Sequence, residues 1–326
     1  MQNFEYANPT TLQEATSLLT VDSAVLAGGT DLLSTLKDYL AAPKRVINIK
    51  GIKELGTITK TATGLRIGAT VTLDELAANP LVKTMFPSLA TAAMGISSPQ
   101  IRNMGTVGGD LCQRPRCWYF RQGHGLLAQD ASSKPLVPNG ENRYHAIFGG
   151  GPAYFVSPSS FGPALAALGA KVKLMSAQYG AREMSIEEFF VAPKNNITRE
   201  IAAYPNELVT EINIPAPAAG SKNATYEIRH REAIDWPLAT ASVVVTMKGA
   251  NVQSAIVVLG HVAPTPWKAA NAEAALVGKP ITAASAEAAG MAAVADAKPL
   301  SQNGYKVQLA KVAVKRALLA AAGVKG

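Results

Sequence analysis

The sequence predicts an α+β protein of more than one domain, on three observations. Strand-like apolar runs alternate with helical patterns over the first two thirds, a proline- and glycine-rich junction follows at 215–223, and the C-terminal end is alanine-rich helix. At 326 residues and 48% hydrophobic, the chain can bury several cores.

Taken in order, Thr11 and Glu14 have capping-box spacing at the head of a helix in TTLQEATSLL. Residues 24–27 read as a strand. A glycine pair follows, then a helix over DLLSTLKDYL that Pro43 ends. Residues 45–49 and 65–70 read as further strands, and Thr72 with Glu75 repeats the capping-box spacing ahead of LDELAANP. This pattern gives a first subdomain over residues 1–53. Residues 54–219 read as a second α+β subdomain, with strands at 171–176 and 208–214, the latter stopped by Pro215. A glycine-, proline- and arginine-rich insertion at about 112–150 interrupts it, and a stretch of that length inside a compact domain points to function. The third domain, 220–326, opens with strands at 241–248 and 254–261 and closes with ITAASAEAAGMAAVADA and VQLAKVAVKRALLAAA, whose alanine density suits close helix packing.

Composition excludes several classes. The net charge of +8, from 31 basic and 23 acidic residues, favours anionic ligands or partners, although a solvated basic surface gives the same balance. Cys112 and Cys117, five apart, are the whole thiol complement, too few for a disulfide framework or a four-thiolate cluster. The four histidines, His124, His145, His230 and His261, lack the close pairing of metal-ligating helices, so no protein-bound metal is expected. The start lacks a secretory pattern and no apolar run reaches about 18 residues. The expectation is a cytoplasmic protein without membrane insertion, or a periplasmic one if a partner subunit carries the export signal.

The sharpest local feature is Ala27-Gly28-Gly29-Thr30-Asp31 between a strand and a helix. Glycines let the backbone bend tightly with its N–H groups outward, and the helix start adds a field that favours phosphate. A Gly-Gly turn with Thr or Asp as N-cap is also common punctuation. A second such feature, Thr106-Val107-Gly108-Gly109-Asp110, stands some eighty residues later. Two such loops from separate subdomains can grip one diphosphate from both sides. Neither matches the nicotinamide fingerprint or the P-loop with its lysine.

AGGTDLL (27–33), ATVTLDEL (69–76), TVGGDL (106–111), SPSS (157–160), INIP (212–215), REAIDWPLA (231–239) and HVAPTPWKA (261–269) follow one another in the order seen in a known family. Together they resemble the FAD-binding subunit of the xanthine dehydrogenase and carbon monoxide dehydrogenase (molybdenum hydroxylase) family, nearly end to end, in its aldehyde-oxidoreductase-like branch. The resemblance implies a vanillyl-alcohol-oxidase-type FAD-binding fold of two α+β subdomains, plus a C-terminal domain of a small sheet and helices. It implies FAD held largely by main-chain groups of Ala27, Gly28, Gly29, Thr30 and Asp31, and of Thr106, Val107, Gly108, Gly109 and Asp110. It also implies Ile96 near the flavin and Arg229 at its polar edge.

Two departures stand out. Where the family has Asp in S-P-S-D, this chain has Ser160, whose hydroxyl can still make a hydrogen bond to the cofactor site. The insertion CQRPRCWYFRQGHG…NRYHAIFGG resembles a segment that holds a [4Fe–4S] cluster through four cysteines in some relatives, and here only Cys112 and Cys117 are present, with Tyr144 in the NR-x position. FAD is therefore expected as the sole redox centre, with no [4Fe–4S] cluster in this chain.

Within that insertion Arg114, Arg116 and Arg121 alternate with Trp118, Tyr119 and Phe120. No RNA- or zinc-knuckle pattern accompanies them, so nucleic acid is not expected. Docking to a partner subunit and a strut under the flavin site both fit. The resemblance implies partners: a large subunit with the molybdenum cofactor, where substrate is oxidised, and a small subunit with [2Fe–2S] clusters, in a heterotrimer or its dimer. Electrons then pass to FAD and on to an external acceptor. The chain itself offers no acid, base or nucleophile. The alternative is a free-standing FAD-dependent oxidoreductase of the same fold, which would need its own substrate pocket.

Overall fold

The computed structural model describes residues 1–96, 98–231 and 235–324. Glu232, Ala233 and Ile234 of the REAIDWPLA stretch lie outside the described residues.

Three sheets organise the described residues. The first is parallel: β1 (Glu5–Ala7), β2 (Ser23–Leu26) and β3 (Arg45–Asn48), in the order β1-β3-β2. Its small core joins Ala15 and Leu19 of the first helical segment to Ile47, Ile49 and Leu55. Thr11 caps that helix, Leu12–Ser17, by accepting from Glu14 N–H.

The second sheet is antiparallel, with β4 (Ile58–Lys60), β5 (Gly64–Gly68), β6 (Lys171–Ser176), β7 (Gly180–Ser185) and β8 (Leu208–Pro215) in the order β4-β5-β8-β6-β7. One face carries the largest core, where Leu65, Ile67, Val172 and Ile212 meet Leu76, Phe86, Leu89 and Phe161 from the helices. The predicted capping box at Thr72 and Glu75 is fully formed on helix Leu73–Ala78.

The third sheet, β9 (Ser221–Ile228), β10 (Ala239–Lys248), β11 (Asn251–Gly260) and β12 (Trp267–Lys268), is antiparallel in the order β12-β11-β10-β9. Ala239, Ala241, Val243 and Val245 alternate inward along β10 and share a core with Ala310, Ala313, Val314, Ala317 and Leu318 of helix Tyr305–Ala322. Helix Ala283–Ala293 packs on it so tightly that a Cβ on Gly290 would stand 2.5 Å from the Lys311 carbonyl oxygen. The small residues seen in the sequence thus bring two helix backbones together.

One element is shorter than its pattern predicts. The helix after the first glycine pair spans Leu32–Lys37 and does not run on toward Pro43. Tyr39 takes a positive φ of 57°, and the Leu40 and Ala41 amides both turn back to the Thr35 carbonyl.

Candidate functional site

The first Gly-Gly loop leaves the end of β2. A Cβ on Gly28 would lie 1.9 Å from the Met104 carbonyl oxygen and 3.0 Å from Gly105, so the loop rests backbone to backbone on the residues just ahead of the second Gly-Gly loop. Gly29 has a φ of +73°, a conformation glycine adopts without a steric penalty. The main-chain N–H groups of Gly28, Gly29, Thr30 and Asp31 find no acceptor among the described residues. Four successive free donors at a helix start are a ready seat for an anion.

The second loop is built differently. Thr106 caps helix Val107–Cys112 and accepts from Gly109 N–H at 3.1 Å. Val107 N–H donates to Val71, Gly108 N–H to Ala69 and Asp110 N–H to Thr106, each at 2.9 Å. Val107 is fully buried in the second core. The amides of residues 107–110 are thus engaged by the segment after β5 and by Thr106, and Val107 does not line the cleft. This loop contributes shape and the Thr106 and Gly109 surfaces.

Between the loops runs a cleft in two parts, of about 580 and 150 Å³, both bordered by Thr30, Asp31, Thr106 and Gly109. Ala27, Gly28, Gly29 and Gly108 line the larger part; Ile96, Asp110, Ser160 and Arg229 line the smaller. Every sequence-predicted site residue except Val107 thus borders one cleft.

Behind the smaller part lies a buried polar network. Asp110 accepts from the Ser159 hydroxyl, from Ser160 N–H (3.3 Å), from Phe161 N–H (3.2 Å) and from Gln113 (3.0 Å), fixing the start of helix Phe161–Ala167. Its carboxylate serves the protein's own donors. Burial nonetheless pushes it up to about 6, against those hydrogen bonds. The Ser160 hydroxyl bonds to Glu227, which contacts Arg229. Burial raises Glu227, and the Arg229 charge offsets this only in part. A Cβ on Gly95 would be 2.4 Å from the Glu227 carboxylate and 2.7 Å from the Arg229 guanidinium, so that glycine makes room for the pair. Glu227 thus stands as a buried carboxylate behind Ser160 and Arg229, a residue sequence reasoning passed over because it sits in a charged run, YEIRHRE, that looks solvated.

The insertion folds inward. Leu126, Leu127, Ala153 and Phe155 form a satellite core with Cys117 and Phe120 packed on it. Cys117 and Cys112 are free thiols, and Cys117 Sγ lies 3.1 Å from His145 Nε2. Arg114, Arg116 and Arg121 of the insertion turn inward. Arg116 and Arg121 reach the Asp31 carboxylate at 3.0 and 2.9 Å, the Arg114 amide donates to it at 2.7 Å, and the Arg114 side chain pairs with Glu200 at 2.7 Å. Asp31, expected at the cofactor, makes no side-chain cap and is held by the insertion instead. Buried Lys306 donates to the carbonyls of His261, Tyr144 and His145, tying the long C-terminal helix to the end of the insertion. Among the described residues no cluster of His, Cys, Asp or Glu suits a metal ion, and no helix is long and apolar enough to cross a membrane.

The arrangement fits a flavin dinucleotide: four unpartnered amides for the diphosphate, a long cleft, and an arginine beside an aliphatic residue at the narrow end. A family model for the FAD binding domain in molybdopterin dehydrogenase matches residues 2–217, and one for the CO dehydrogenase flavoprotein C-terminal domain matches residues 224–321. The chain is 31% identical over 325 residues to the carbon monoxide dehydrogenase medium chain of Hydrogenophaga pseudoflava, covering 98% of this chain and 96% of that one. It is 30% identical to the aldehyde oxidoreductase FAD-binding subunit of Escherichia coli (strain K12), covering 95% and 96%. Among solved structures, a chain of the Hydrogenophaga pseudoflava carbon monoxide dehydrogenase superposes with a TM-score of 0.77 at 30% identity, over 99% of this chain and 98% of that one. A chain of quinoline 2-oxidoreductase from Pseudomonas putida 86 gives 0.78 at 25% identity, over 99% and 98%.

Proposed function

The chain belongs to the family of FAD-binding subunits of molybdopterin dehydrogenases, and on that premise we propose that it is the electron-transfer subunit of a molybdenum hydroxylase complex. It is an oxidoreductase component whose substrate chemistry belongs to a partner subunit. On this reading a large partner carries the molybdenum cofactor, a small partner carries [2Fe–2S] clusters, and electrons leave through this chain to an external acceptor. The observation that carries the reading is the cleft shared by the two Gly-Gly loops, with the free amides of residues 28–31 along one wall.

When bound, FAD supplies a ring that takes electrons singly and releases them as a pair. The chain's own residues do the rest. Amides of residues 28–31 hold the diphosphate, Thr106 and Gly109 close the opposite wall, and Ile96 with Arg229 flanks the narrow end, where the Glu227 carboxylate fixes the arginine. The same reading divides the chain after residues 53 and 219. It is supported by the sheet boundaries, since the first sheet ends at Asn48, the second at Pro215, and the third begins at Ser221.

The test is affinity isolation of the tagged chain from its native cell, with a visible spectrum and metal analysis. Flavin bands together with molybdenum, iron and two co-eluting subunits are expected. Flavin on a lone chain without metals would favour the free-standing oxidoreductase, and a colourless chain that FAD cannot reconstitute would refute both.

A further inference from the structure

The insertion's arginines remain without a role in that account, and their geometry supplies one. Asp31 lies in the free-amide run and borders both parts of the cleft, so its carboxylate stands beside the seat assigned to the cofactor diphosphate. An uncompensated carboxylate there would repel a diphosphate and would weaken the field the amides provide. Two guanidinium groups meet it: Arg116 at 3.0 Å and Arg121 at 2.9 Å. Both are held from behind. Arg121 donates through Nε to the Pro115 carbonyl at 2.9 Å and through Nη2 to the Arg114 carbonyl at 3.1 Å. Arg116 donates to Gln113 at 3.1 Å and lies over the Trp236 ring at 4.6 Å. The Arg114 amide adds a third donor to Asp31 at 2.7 Å.

We propose that the insertion is part of the cofactor site, with Arg116 and Arg121 neutralising Asp31 so that the first Gly-Gly loop accepts a diphosphate. Both are positioning residues acting through Asp31. This also separates the two roles left open for the insertion, because a surface for docking partners would leave these guanidinium groups outward, whereas Arg121 is only 17% and Arg116 only 30% exposed. The inference rests on the reading that the amides of 28–31 hold the diphosphate.

The experiment is a charge-swap series in the full chain, stripped of flavin and titrated with FAD, with ADP as a competing probe that keeps the diphosphate. R116Q/R121Q leaves Asp31 without a neutralising charge, its Arg114 amide donor aside, and FAD and ADP should each bind at least tenfold more weakly. Adding D31N to that pair removes the repelling charge, and affinity should return to within about threefold of the parent. D31N by itself should bind FAD at least as tightly as the parent. Thermal melts of each variant separate lost affinity from lost fold. A triple variant as weak as the double, a double as tight as the parent, or a folded D31N protein tenfold weaker would each overturn the neutralising role. A parent chain that binds neither FAD nor ADP would instead overturn the cofactor reading beneath it.

Discussion

Gly28 has no room for a side chain, because the atom any other residue would add lies 1.9 Å from a carbonyl oxygen of the backbone, which cannot rotate away. Gly28→Ala is therefore expected to cost about 2–3 kcal/mol and to abolish FAD retention, measured by chemical unfolding and by flavin recovered per chain. His261 shows a different constraint. It is buried at a positive φ of 61°, its Nδ1 lies 2.9 Å from the Thr240 hydroxyl, and burial holds its pKa down to about 3. In the unfolded chain the ring takes a proton near pH 6.5, so the folded state binds fewer protons between that pH and 3. Stability is thus lost as pH falls through that window. Asn tolerates positive φ, so His261→Asn keeps the backbone and removes the titration. The unfolding free energy of the parent relative to this variant should fall by roughly 2 kcal/mol between pH 7 and pH 5; equal slopes for the two proteins would disprove it. Taking the difference cancels the opposite contribution of Asp110, whose raised pKa favours the fold at lower pH.

Among the elements, the two alanine-rich helices test propensity against packing. Gly290→Ala in helix Ala283–Ala293 gains about 1 kcal/mol of helix propensity, yet the added Cβ would press within 2.5 Å of the Lys311 carbonyl. Overpacking of this kind costs about 1–3 kcal/mol, and the contact is to backbone. A net loss of stability is expected, and a variant that melts higher than the parent would contradict the close crossing. Seven of the twelve strands among the described residues were readable in the sequence. Capping residues and alternating apolar runs gave strands β2, β3, β5, β6, β8, β10 and β11 to within a few residues, because each signal is local. The helix at Leu32–Lys37 was overextended because its end depends on the Tyr39 turn, and nothing in DLLSTLKDYL marks a break.

For the molecule as a whole, legibility fell wherever a site joins distant segments. Both glycine pairs were visible in the sequence as motifs, although only the first lies between a strand and a helix; the second sits in the first turn of helix Val107–Cys112. That residues 107 and 108 have engaged amides was not, because their acceptors, Val71 and Ala69, lie in a distant segment of the chain. The same holds for Glu227 behind Ser160, 67 positions away in the chain, and for the inward turn of the insertion onto Asp31. Alternation of polar and apolar residues tells which way a side chain points, not which partner it meets.

The seating of Gly28 on Met104 also bears on kinetics. Two walls that rest backbone on backbone are held together by the fold, and the ordering entropy then belongs to the fold rather than to binding. Uptake of FAD by the stripped chain should then be a single bimolecular phase, its rate rising linearly with flavin concentration and without a plateau in stopped-flow fluorescence. A rate that saturates would reveal a gate between apo and loaded forms, and would mean that the two loops part before they receive their guest.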